Sequence, residues 1–170
     1  MDTSISADRA GRASWRFVLQ HPAHLLAFGF GAGLLPAAPG TFGTLLAFPA
    51  FWLLSGWISD GALFAVIAVM LLAGIGLCGS TGRALGQADH GGIVWDEIAA
   101  FMLVLFFTPA GTAWQGFAFV LFRVFDIVKP PPIRYYERKL PGGLGVMFDD
   151  LLAAFYTLLV LAITRTWIGS

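Results

Sequence analysis

Cysteine and charge are what this chain has least of. Its 170 residues include one cysteine, Cys78, so neither a disulfide nor a cysteine-based metal site can form within a single chain. Cys78 lies in an apolar run and is expected to be an inert, buried small hydrophobe. Charged residues make up 12% of the chain, against roughly a quarter in ordinary soluble domains. Hydrophobic residues reach 58%, and the mean hydropathy is +0.78. That balance excludes an ordinary soluble domain and favours the membrane class. Ten basic and ten acidic residues give zero net charge, which argues against nucleic acid as a partner. There is no internal repeat and no low-complexity linker.

Charge is absent from long stretches: Phe17 to Ser59, Gly61 to Gly82 and Ile98 to Phe122 contain no Asp, Glu, Lys or Arg. These stretches read as apolar helices punctuated by turns rich in glycine and proline. Expected segments are Phe42 to Ile58, Ala62 to Gly79, Ile98 to Phe107, Trp114 to Phe125 and Leu151 to Thr164. About 18 residues from Ala62 to Gly79 give roughly 27 Å of helix, close to a hydrocarbon core of about 30 Å. Others are too short to span comfortably. The expected fold is therefore an all-α, compact membrane-embedded bundle with short or re-entrant hairpins and one cytoplasm-facing polar site. Residues 1–20 are expected to form a polar N-terminal tail, with no signal-peptide pattern, and residues 21–170 a single membrane-embedded domain. Arg9, Arg12 and Arg16 place the tail in the cytoplasm by the positive-inside tendency. With far-side turns at Asp60 and at Thr108 to Gly111, every polar motif falls on the cytoplasmic side.

What charge there is clusters. Six of the ten carboxylates occupy three places: Asp89 with Asp96 and Glu97, then Asp126, then Asp149 with Asp150. Ionised groups bordering a membrane core are costly unless paired, metal-bound or wet, so they mark a functional site. Asp96 and Glu97 precede an apolar helix, where capping is the bland alternative. His90 stands beside them, as ready for a structural hydrogen bond as for catalysis. Arg123 and Asp126 share a helix face at i and i+3. They form either an ion pair, with Lys129 reaching to headgroups, or a site in which Asp126 binds metal while Arg123 and Lys129 grip phosphate. Asp149 and Asp150 follow Gly142, Gly143 and Gly145, which permit close backbone approach, and read as the start of a helix. Gly40-Thr41 and Gly43-Thr44 open another helix and either offer donors to an anion, although the lysine of a P-loop is missing, or form a tight turn with close helix packing. Acid clusters with a few cations beside a membrane point to metal-assisted chemistry on a phosphorylated, lipid-borne substrate. An ion or proton pathway is the competing reading.

At these residues the chain resembles the phosphatidylglycerophosphatase A family, from about Gly29 to Tyr156. The resemblance rests on GAGLLPAAPGTFGTLLAFP, DHGGIVWDEIAA, FRVFDIVKPPPI and GGLGVMFDD, in that order and spacing. Ala100, where a glycine is expected, and the extra Pro131 depart from the family pattern. The resemblance implies an enzyme of the bacterial inner membrane. It hydrolyses the terminal phosphate monoester of phosphatidylglycerophosphate to phosphatidylglycerol with Mg²⁺, its substrate remaining in the bilayer among membrane lipids. It further implies Asp96, Glu97, Asp126, Asp149 and Asp150 as the metal set, and Thr41, Thr44, Arg123 and Lys129 as phosphate contacts. In the expected mechanism Asp89 or His90 is the base for an attacking water, with Asp96, Glu97 and Asp149 also catalytic; a carboxylate nucleophile is the other route. Arg134, Arg138 and Lys139 form a basic segment able to draw anionic lipid. Alternative functions are a phosphatase for another phosphorylated lipid or a soluble phosphoester, or a small ion-coupled transporter.

Overall fold

A computed structural model describes residues 13–137 and 139–168, and among these every regular element is a helix. Two short helices, α1 (Trp15–Val18) and α2 (Pro22–Ala27), precede a 3₁₀ segment, Gly29–Leu34. The bundle proper comprises α3 (Pro39–Ser55), α4 (Asp60–Leu85), α5 (Trp95–Phe107), α6 (Thr112–Val128) and α8 (Gly142–Ile168), with the short α7 (Ile133–Glu137) between the last two. Residues 1–12 of the expected tail, and Arg138, lie outside the described residues. The rest of that tail is not loose: Phe17 and Val18 are buried, at 2% and 0% exposure.

Local chemistry sets the helix ends. Pro39 opens α3 with its preset φ, and Ser59 caps α4 by accepting a bond from the Ala62 N–H at 3.4 Å. Gly86 closes α4 in the left-handed conformation, which glycine adopts without a Cβ penalty. Lys129 ends α6 in that same conformation, and three prolines then prevent the helix from resuming.

The central helix is α5. Ile98, Ala99, Ala100, Phe101, Met102, Val104 and Leu105 are all buried, the pattern of a helix surrounded on every side. Its 13 residues reach about 20 Å, too short to cross a bilayer, so α5 and α6 form a hairpin turning at Thr108 to Gly111. By length and composition, α4 and α8 are able to cross. Only 22% of the most apolar window of α4 is buried inside the protein, and Val69 and Leu72 stand exposed. An apolar surface of that extent on a single chain suits lipid. The exposed Trp57 and Trp167 mark the far end, at the depth where amphipathic aromatics settle.

Two helix starts differ from the sequence expectation, both for tertiary reasons. The last helix begins at Gly142, so Asp149 and Asp150 lie about two turns inside it and not at its start. Gly143 permits this by lying against α4: a Cβ there would sit 2.0 Å from the Ile75 carbonyl oxygen and 2.6 Å from the Gly79 nitrogen. Small residues at such crossings let membrane helices approach closely. Gly143 thus serves helix packing, where ligand approach was expected of the three glycines; Gly145 lies against the Leu140 carbonyl, and Gly142 has open space beside it. The helix expected from Ile98 begins at Trp95 with Val94 as its N-cap and no side-chain cap bond, so the bland alternative of capping by Asp96 does not occur.

Candidate active site

Five elements converge on the end of the bundle opposite Trp57 and Trp167. The first turn of α5 brings Asp96 and Glu97, and the last turns of α6 bring Arg123 and Asp126, with Lys129 just beyond. α8 contributes Asp149 and Asp150, the loop before α5 contributes Asp89, and the first turns of α3 contribute Gly40 and Thr44. All six clustered carboxylates and Lys129 line one pocket of about 300 Å³. Asp96, Glu97, Asp149 and Asp150 are buried, at 6%, 9%, 6% and 3% exposure.

Arg123 is committed on three sides. Its Nη1 lies 2.7 Å from Asp126 Oδ2 and 2.9 Å from Glu97 Oε1, and it donates to Thr44 Oγ1 at 3.2 Å. The expected i, i+3 ion pair is therefore present, as one part of a larger clamp. Lys129 turns inward: its ammonium lies 3.2 Å from Asp149 Oδ2 and 3.9 Å from Asp89 Oδ2. Asp89 is the open member, its side chain 61% exposed at the mouth.

Burial pushes the carboxyl of Asp96 well above its ordinary range, and the neighbouring Glu97 adds to the effect. Burial likewise raises Glu97 to about 8, reinforced by Asp126 and opposed by Arg123. Six acids share this space with two cations, and Asp96 Oδ1 and Glu97 Oε2 are buried with no hydrogen-bond partner. Such oxygens are costly unless a cation meets them. Among the described residues, no three acids or histidines are gathered closely enough to hold a metal ion as they stand. Mg²⁺ does not require such a cage, because it keeps several waters and takes one or two carboxylates together with substrate phosphate. The all-oxygen donor set and the orphaned oxygens fit that ion.

The remaining sequence candidates lie off the pocket wall. Thr41 is half-buried in the first turn of α3. Thr44 is fully buried and donates to the Gly40 carbonyl at 2.9 Å. His90 Nδ1 accepts from the Gly92 N–H at 3.0 Å, and the residue lines a separate cavity of about 200 Å³ with Gly33 and Pro39. Close helix packing, weighed in the sequence beside anion binding for Gly40 and Gly43, is what the structure has: both glycines turn a side-chain-free face to Val94 and Glu97. Their i, i+3 spacing was the available signal, since small residues repeated along one helix face mark close packing.

Comparison with known proteins adds a second line of support. The family model described as Phosphatidylglycerophosphatase A matches residues 25–165. Phosphatidylglycerophosphatase A of Haemophilus influenzae is 43% identical over 151 residues, covering 88% of this chain and 92% of that protein. The Escherichia coli protein of the same name is 41% identical over 142 residues, covering 83% and 82%. A Bacteroides thetaiotaomicron protein, provisionally named a phosphatidylinositol-3-phosphatase, is 37% identical over 152 residues, covering 85% and 94%. No solved structure matches the chain.

Proposed function

The chain belongs to the phosphatidylglycerophosphatase A family, and from that premise we propose that it hydrolyses the terminal phosphate monoester of phosphatidylglycerophosphate in a Mg²⁺-dependent reaction. The observation that carries this reading is the pocket in which six carboxylates and Lys129 meet at one end of an apolar bundle. An anionic monoester does not enter such a pocket unaided; a cation must offset the acids.

Mg²⁺, held by a subset of Asp96, Glu97, Asp126, Asp149 and Asp150, would supply charge neutralisation and polarisation of the phosphoryl group. The chain's own residues do the rest. Lys129, now on Asp149 and Asp89, exchanges part of that contact for a phosphate oxygen as substrate enters. Arg123 keeps Glu97 and Asp126 oriented and adds positive charge behind them. Asp89, exposed at the mouth, takes the proton of the water that attacks phosphorus. As the new P–O bond forms, the bond from phosphorus to the glycerol oxygen breaks and that oxygen takes up a proton. Phosphoryl transfer is mainly positioning and electrostatic stabilisation, and these residues supply both.

The acyl chains stay in lipid against α4 and α8, so only the headgroup has to reach the acids. A bacterial inner membrane with the site facing the cytoplasm is the matching placement. Arg16, Arg83, Arg134 and Lys139 gather at the site end, and Arg165 alone of the described cations lies at the other.

The test is phosphate release by purified protein in detergent, offered phosphatidylglycerophosphate, phosphatidic acid, a phosphatidylinositol monophosphate and soluble glycerophosphate. Release confined to the first is expected. The Bacteroides relative's name supports a second reading, a different phosphorylated headgroup, and faster release from the inositol lipid would establish it. Release from none, by folded protein, would overturn both readings in favour of an ion pathway.

A further inference from the structure

Gly40 and Gly43 occupy the same face of α3, yet a side chain would meet different obstacles at the two positions. A Cβ on Gly43 would lie 2.7 Å from Val94 Cβ, 3.0 Å from Glu97 Oε2 and 3.2 Å from the Val94 carbonyl oxygen, so there the tightest obstacle is an atom tied to the backbone. A Cβ on Gly40 would lie 1.9 Å from Glu97 Oε1, 2.7 Å from Glu97 Cδ and 3.0 Å from Glu97 Oε2, and no other atom is among its nearest. Its three nearest obstacles all belong to the far end of one flexible side chain.

The Glu97 carboxylate thus rests directly on the backbone of Gly40, in the first turn of α3, where the helix dipole favours an anion. Its Oε1 is held from the other side by Arg123 Nη1 at 2.9 Å. The same nitrogen donates to Thr44 Oγ1 at 3.2 Å, and that hydroxyl donates to the Gly40 carbonyl at 2.9 Å. The four residues close a ring: Gly40 against Glu97, Glu97 to Arg123, Arg123 to Thr44, Thr44 back to Gly40.

We propose that Gly40 is a positioning residue: the bare backbone at this point sets where the Glu97 carboxylate sits in the acid pocket, and turnover depends on that placement. The anion served by the start of α3 is then one of the protein's own. This rests on the phosphatase reading and on the place of Glu97 in the acid set, and it assigns a role to a residue with no chemistry of its own.

A methyl group at position 40 evicts the carboxylate before it moves the helix, because the carboxylate can rotate and α3 cannot. Gly40→Ala is therefore expected to fold with an unchanged thermal midpoint while kcat falls about tenfold to a hundredfold, the scale of an ångström-sized misplacement. KM is expected to change less. Wild-type kcat in Gly40→Ala, or a thermal midpoint that falls along with kcat, would overturn the proposal. A crystal structure of Gly40→Ala provides a readout independent of activity. It should show α3 in place and the Glu97 carboxylate off Arg123, whereas a shifted α3 with the Glu97–Arg123 contact intact would count against the inference. If wild-type protein releases no phosphate from phosphatidylglycerophosphate, the functional reading fails on that result alone, and the crystal structure still decides the positioning claim.

Discussion

The two ends of this bundle contain similar helices and very different chemistry. At the far end, Trp57 and Trp167 are more than 80% exposed, and a groove is lined by Phe107, Phe155 and Leu159 with Arg165 as its one charged residue. At the site end, six carboxylates, Arg123 and Lys129 are drawn into a pocket of about 300 Å³ and a clamp beside it. The difference follows from the solvent. Where helices end in lipid or at its boundary, an isolated charge has nothing to meet and aromatics settle instead. Where five elements end together, acids can share cations, and burial becomes tolerable only because they do.

The sharpest way to break this comparison is to neutralise single acids at the two ends, two at the site and one opposite. Asp96→Asn and Asp149→Asn should lower kcat by about a hundredfold to a thousandfold, the scale of losing one preorganised electrostatic group, with the protein still folded in membranes. Asp60→Asn, in the first turn of α4 at the far end, should leave turnover unchanged. Equal losses in all three would mean that position at the site end carries no special weight. Next in size is Lys129→Ala. Its ammonium is expected to meet the substrate phosphate, so KM should rise about tenfold, the cost of one charge-assisted contact. An unchanged KM would confine Lys129 to holding Asp149 and Asp89.

The smallest effects concern stability. Gly143→Ala places a methyl group against the Ile75 carbonyl and the Gly79 backbone, which cannot rotate away. It should cost about 1–3 kcal/mol, as overpacking does. Gly116→Ala on α6 has nothing within 4 Å of the added atom, so it should gain up to about 1 kcal/mol from helix propensity. Thermal unfolding in detergent reads both variants.

Those glycines also mark the boundary between what was legible in the sequence and what was not. The apolar runs located α3, α5 and α6 to within three residues and the start of α4 to within two, because burial and lipid exposure both demand unbroken hydrophobicity; α4 runs six residues past its expected end at Gly79. The start of α8 was hidden: Gly142, Gly143 and Gly145 are poor helix formers, and only the contact with α4 makes a helix worthwhile there. The acids were legible as a set, since a carboxylate in so apolar a chain is too costly to keep without a partner or a task. Their internal arrangement was not. That Arg123 would be held by Glu97, Asp126 and Thr44, or that Lys129 would turn inward to Asp149, depends on distances between helices that no local pattern encodes. The packing of α1 and the presence of α7 after the prolines were likewise tertiary outcomes.

The crowded end is held to work as a cation-dependent phosphatase site. Phosphate release from phosphatidylglycerophosphate, followed as free Mg²⁺ is titrated back after thorough chelation, tests this most directly when wild-type protein and Asp149→Asn are run side by side. Wild-type activity should disappear with EDTA and return with Mg²⁺, while the variant stays inactive at every concentration. Full wild-type activity under chelation, or a variant as active as wild type, would contradict a cation-dependent site.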